Sequence, residues 1–254
     1  MKKGLGFLVL LLLLAVGVAW YLLSGAGDFI RTQIEEQGSD FLGTKVSVAK
    51  VELALTDGRM SIGGLRVQNP QGFSRENAFS LEDITLDIGE VLSEPYVVQT
   101  VNVNAPEVLY EVDASGKGNL LVLKSNVESK LSKTESKAQP ETTGEANPLV
   151  IVENVTVSNV RLKLNFEQLS TGDLTLKTKA YEVTLPTFNA GPIGKPNGMP
   201  ADQVGAAVVK SMLDNVMAAA KSEAKKRLAE EAKKKVNEEL EKQKTYPYYF
   251  HYQD

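Results

Sequence analysis

Nineteen consecutive residues, Leu5 to Leu23, carry no charged side chain, and Leu10 to Leu14 are all leucine. As a helix, at about 1.5 Å per residue, this run is roughly 28 Å long. The hydrocarbon core of a bilayer is about 30 Å thick, so the run predicts a membrane span. Enough residues follow it for one medium domain or two small ones.

Lys2 and Lys3 precede the run, and no Lys or Arg follows it before Arg31. The positive-inside rule then puts the N-terminus in the cytoplasm and the bulk of the chain on the other side. Cleavage as a signal peptide is the rival reading, because Ser24-Gly25-Ala26 offers small residues in the right place. The run exceeds the 7–15 apolar residues typical of a signal core. Trp20 and Tyr21 also stand where an interfacial aromatic belt belongs. We therefore expect a retained anchor over 1–26. With no cysteine in the chain, lipoprotein acylation and a disulfide framework are both excluded. The formal net charge of −4 argues against nucleic-acid binding.

After a short amphipathic helix expected over 28–42 and ended by Gly43, the pattern becomes alternating. Val46, Val48, Val51, Leu53 and Leu55 lead to Asp57-Gly58, a strong hairpin signature, and Met60, Ile62, Leu65 and Val67 return. The alternation slips by one residue in each run, which suggests a β-bulge or a strand break. The same slipped pattern recurs at Val155, Val157, Val160, Leu162 and Leu164. Further strands are expected around Ile84-Leu86-Ile88, Val101-Val103, Val108-Tyr110-Val112, Leu174-Leu176 and Tyr181-Val183-Leu185. One apolar and one polar face per strand predicts an antiparallel sheet covered on one side.

Ser129 to Asn147 holds one large apolar residue, Leu131, so 129–148 is expected to be a disordered linker. From Ala201 to Lys244 there is no proline, and one helix through this stretch would be about 66 Å long. Its first half carries the apolar stripe Val204, Ala207, Val208, Leu213, Val216, Met217 and Ala220. Its second half is charged and should project into solvent, helped by pairs such as Glu231–Lys235. An aromatic tail, 245–254, closes the chain.

Catalytic chemistry finds little footing. His251 is the only histidine and lies in the tail, without an orienting partner in sight. Without cysteine and with one histidine, soft-ligand zinc sites and nucleophile–histidine triads are removed. Asp83/Asp87 and Glu107/Glu111 are i,i+4 pairs about 13 Å apart along a strand, too far for a glycosidase pair, and they read as a solvent face. Gly63-Gly64 lacks the Lys-Ser/Thr and helix of a phosphate loop. No catalytic residue, metal or cofactor is expected.

The order of these features resembles the start of AsmA-like proteins of Gram-negative envelopes. The resemblance rests on Gly43-Thr44-Lys45-Val46-Ser47-Val48 and on Gly64-Leu65-Arg66-Val67-Gln68-Asn69-Pro70-Gln71-Gly72-Phe73. It continues through Val101 to Tyr110 with Pro106, and through the turn Asp113 to Leu120. It covers roughly residues 1–125. It implies an inner-membrane protein whose periplasmic part is a curved sheet with an apolar inner face, related to lipid-transfer proteins. This chain is much shorter, which gives a trough and not a bridge.

Together these readings give an α+β protein: a single N-terminal transmembrane helix, a curved antiparallel β-sheet forming a half-open trough, and a long C-terminal helix. The segments are 1–26 stub and anchor, 27–128 helix and sheet, 129–148 linker, 149–190 further strands, 201–244 helix and 245–254 tail. Helix 201–220 would partly cover the trough. Lipid, as phospholipid from the inner membrane, would lie on Ile84, Leu86, Ile88, Leu162, Leu164 and Phe166. The alternative is a structural adaptor with a sealed core that binds a protein partner through its C-terminal helix.

Overall fold

The computed structural model describes residues 25–89, 93–136, 147–169 and 179–245. The anchor run Leu5–Leu23, the strand expected at Leu174-Leu176 and the aromatic tail from Tyr246 lie outside the described residues. Among the described residues no helix is long and apolar enough to cross a membrane.

The elements run α1 (Ala26–Leu42), β1 (Val46–Ser47), β2 (Lys50–Ala54), β3 (Arg59–Gln68), β4 (Asn77–Ile88), β5 (Tyr96–Asn104) and β6 (Glu107–Glu111). Then come α2 (Asn119–Ser136), β7 (Leu149–Ser158), β8 (Arg161–Asn165), β9 (Ala180–Thr184), β10 (Phe188–Asn189), β11 (Met199–Pro200) and α3 (Ala201–Thr245). They form a mixed α+β fold: one curved open sheet with helices, the last of them long. Helix α1 ends as expected at Gly43, whose φ of 66° is left-handed and whose N–H donates to the Ser39 carbonyl at 2.9 Å.

The eleven strands among the described residues are really six long ones plus the short β11. β1 with β2, β5 with β6, β7 with β8 and β9 with β10 each keep one register against their neighbours across the gap between them, the shift of β4 against β5 at Asp87/Ile88 lying away from it. Continuing those registers through the gaps puts Ala49, Gly64, Glu82, Ala105, Asn159 and Pro186 on a single row across the sheet. Three of the six take a left-handed backbone: Gly64 at φ 64°, Ala105 at 51° and Asn159 at 54°. Bonds bracket the row, from the Ala105 N–H to the Ser158 carbonyl and from the Arg161 N–H to the Pro106 carbonyl, both 2.9 Å. The slip in alternation is therefore not a bulge, which would set two residues against one. Each strand carries its own slip at the same level, so pairing stays in step while the side-chain phase inverts. The row works as a crease. It keeps the apolar residues on one face on both sides of the bend.

Apolar rows then run the full width of the sheet. Above the crease one row is Val51, Ile62, Ile84, Val103, Val157 and Phe188. Below it another is Val46, Val67, Phe79, Val108, Leu162 and Val183.

Two expectations need correction. The sheet is not wholly antiparallel, since β5 pairs with β7 and β6 with β8 in parallel. A parallel pair needs a crossover, usually a helix, and α2 lies in that connection. The linker expected from Ser129 is accordingly helical as far as Ser136. Leu131 is no isolated apolar residue; it continues the stripe Leu120, Leu123 and Val127, all three buried, and packs against the same core.

Candidate functional site

Among the described residues the apolar face is the broad feature with a functional reading, and the structure divides it. Leu162 and Leu164, on β8, are 0 % and 1 % exposed. They share one core with Val155, Val157 and Val160, with Leu120, Leu123 and Val127 of α2, and with Met212, Leu213, Val216, Met217 and Ala220 of α3. Burying each such side chain contributes about 1.5–3 kcal/mol. These are filled positions. Phe166 is half-buried in an aromatic group at the lower end of the sheet. Its ring meets Tyr110 edge-on at 6.2 Å and Tyr181 at 6.3 Å, and the Arg227 guanidinium of α3 lies 4.8 Å from the Tyr181 ring centre. Burial pushes the Tyr110 phenol up; burial and then Glu223 push up Tyr181, against the Arg227 charge.

Ile84, Leu86 and Ile88 belong to the other side of the crease. They are half-buried, as are Val51, Leu53 and Met60 beside them. Leu86 stands between Met60 and Val101, Ile84 between Ile62 and Val103. The six expected lipid-facing residues thus form two groups at opposite ends of the sheet. One is under helices. The other is a half-open apolar corner. Alternation in sequence finds both and cannot tell them apart.

Helix α1 guards the edge next to that corner. The Val46 N–H donates to Ser39 Oγ at 2.9 Å and the Val48 N–H to Glu35 Oε1 at 2.8 Å. Side chains of α1 thus occupy edge groups that would otherwise invite another strand. At its start α1 comes so close to β2 that a Cβ on Gly27 would sit 2.6 Å from the Val51 carbonyl oxygen.

Helix α3 is held over the sheet partly by charge. Lys124 and Glu128 of α2 face Lys210 and Asp214 of α3. Lys124 pairs with Asp214, Lys210 with Asp214 at 2.9 Å, and Lys210 with Glu128 at 3.6 Å. Partial burial pushes the Asp214 carboxyl up, but the bonds and charges of Lys124 and Lys210 outweigh it and hold the group below its usual range. Beyond Arg227 the helix leaves the sheet, and Val236 and Leu240 are exposed.

The motif residues prove structural. Asn119, fully buried, donates to Asn69 Oδ1 at 2.7 Å and to the Leu109 carbonyl at 2.8 Å. It accepts from the Glu111 N–H at 2.9 Å and the Leu120 N–H at 2.7 Å. Glu111 is 2 % exposed, not on a solvent face as its alternation predicts, because the segment after Asn69 folds over it. Asn69 Nδ2 and the Ser74 N–H both donate to its carboxylate. Glu107 lies at the surface, paired with Arg161. Asp87 pairs with Arg59 at 3.3 Å, and Asp83 is exposed. These acids are spread along strands, and among the described residues no group of three or more His, Cys, Asp or Glu could hold a metal ion. His251 lies outside the described residues.

No protein-family model matches this chain, and no curated protein matches it.

Proposed function

We propose that this is a membrane-anchored periplasmic protein of the AsmA-like kind that binds lipid in envelope maintenance, through the half-open corner of its curved sheet. The observation that carries the reading is the uneven sealing of one apolar face: closed over β7, β8 and the lower parts of β3 and β4, half-open at Val51, Leu53, Met60, Leu86 and Ile88. A plain structural core gives no reason for one part of the same face to stay half-open. An acyl chain laid along Leu53, Met60, Leu86 and Ile88 would gain about 0.8 kcal/mol per buried methylene. Leu162 and Leu164 drop out as first contacts, since side chains of the protein already cover them.

The test is a photo-crosslinking residue placed in cells at Leu86, with Asp87 and Leu164 as comparisons. One residue along a strand changes the face. The expected result is phospholipid captured at Leu86 and at neither of the others. Capture at Leu86 and Asp87 alike would mean general closeness to the bilayer and would refute a binding corner. The adaptor reading keeps one observation in its favour, the exposure of Val236 and Leu240 on the half of α3 that extends beyond Arg227. It expects no capture at any of the three positions.

A further inference from the structure

The fold has two different ends along its strands, and the helices show which is which. α1 runs against β1 and β2: Ser39 meets Val46, Glu35 meets Val48 and Gly27 meets Val51. Its first turn therefore lies level with the half-open corner. α3 runs the length of the sheet in one direction. Its Ala201 N–H donates to the Pro148 carbonyl, Ser211 Oγ to the Ala190 carbonyl beside Val155, and Arg227 covers Tyr181 beside Leu164. It passes from the corner's end of the sheet to the aromatic end. From Leu228 to Thr245 it then continues for about 27 Å.

Helix α1 begins at Ala26, three residues after the leucine-rich run Leu5–Leu23. At most about 3.6 Å per residue, that keeps its first turn within roughly 11 Å of the run. Phe29 lies in this turn and is 66 % exposed. The basic groups around the corner each have an acid against them: Arg31 with Asp28 at 3.3 Å, Lys50 with Glu52 at 2.9 Å and Arg59 with Asp87 at 3.3 Å. An exposed aromatic ring, half-covered aliphatic side chains and internally paired charge suit a surface that meets lipid headgroups and the first methylenes beneath them.

We infer that the sheet end bearing Phe29, Leu53, Met60 and Leu86 rests against the lipid surface, and that the half of α3 beyond Arg227 points away from it. The inference relies on the anchor proposed above and adds an orientation: the corner opens toward the bilayer, so lipid enters directly from the membrane.

The chain has no cysteine, so single cysteines can be placed without other changes. Full-length protein with a cysteine at Phe29, Met60, Leu86 or Val236, each labelled with an environment-sensitive fluorophore, is reconstituted into phosphatidylethanolamine–phosphatidylglycerol vesicles. A fraction of the lipid carries a headgroup spin label. Quenching several-fold stronger at Phe29, Met60 and Leu86 than at Val236 is the expected result. Phe29 is the most exposed of the three, so its label reports even where the half-buried positions perturb packing. Protein that floats with vesicles yet is quenched equally at all four sites, or most at Val236, overturns the orientation and leaves the anchor standing. Protein that does not float with vesicles at all refutes the anchor and this inference with it.

Discussion

Replacing Asn119 by alanine removes the joint that ties the start of α2 to β6 and to the segment at Asn69. Its amide makes four hydrogen bonds, to Asn69, Leu109, Glu111 and Leu120, within 2.7–2.9 Å, in a site with no exposure. Alanine leaves two buried N–H groups and two buried oxygens without those partners. Each such group costs about 1–3 kcal/mol when nothing replaces its partner. Asn69 is only part-buried, so water can reach that edge of the site; the lower end of that range applies, and the sum is about 4 kcal/mol. Against a typical domain stability of about 5–15 kcal/mol this is a large loss. With a urea slope of about 2 kcal/mol/M, the midpoint should fall by about 2 M at an unchanged slope. Asn119→Asp keeps the shape but loses both donations and sets a carboxylate against Asn69 Oδ1 and the Leu109 carbonyl. It should be no better. Urea unfolding of the two variants, followed by circular dichroism, makes the comparison. A loss under about 1 kcal/mol for Asn119→Ala would refute the view that the motif residues are a buried polar joint.

Two further outcomes follow from the helical layer. Leu213→Asp puts a charge into the core under α3 and should cost about 3 kcal/mol or more, while Lys234→Asp on the half beyond Arg227 should stay within about 0.5 kcal/mol; thermal melts read both, and silence at both would mean α3 does not dock. Because the Asp214 carboxyl is held below its ordinary value, its contribution is complete above the unfolded value near pH 3.9 and is lost as the pH falls through the lower folded one. Stability measured from pH 5 downward should therefore fall less steeply in Asp214→Asn than in the parent, and identical profiles would rule out this group as a source of the acid sensitivity.

Much was legible in the residues themselves. Alternation marked most of the described strands, because a sheet with one buried face must place apolar side chains at every second position. Gly43 marked the end of α1, since a left-handed cap suits a residue without Cβ. The proline-free stretch after Ala201 marked the long helix, and the switch from apolar stripe to charge marked where it leaves the sheet. Even the slip in phase was visible in single strands.

What the slip meant depended on neighbours. One strand with an extra residue is a bulge, and six strands with the extra residue at one level are a crease, and no local window contains that difference. The parallel pairing of β5 with β7 was likewise invisible, because a strand's own pattern does not reveal the direction of the strand beside it. This hid α2, whose continuation past Ser129 has too few apolar residues to announce itself and is held by the core it completes. The candidate site shows the same limit most clearly. Leu86 and Leu164 have the same residue type, the same alternation and polar residues on both sides, and only the placement of the helices α2 and α3 decides that one is sealed and the other is half-open. The chain's pattern determined which faces are apolar, since that is a property of successive side chains. Tertiary packing alone decided which of them remain for something else to touch, since coverage depends on segments far away in sequence.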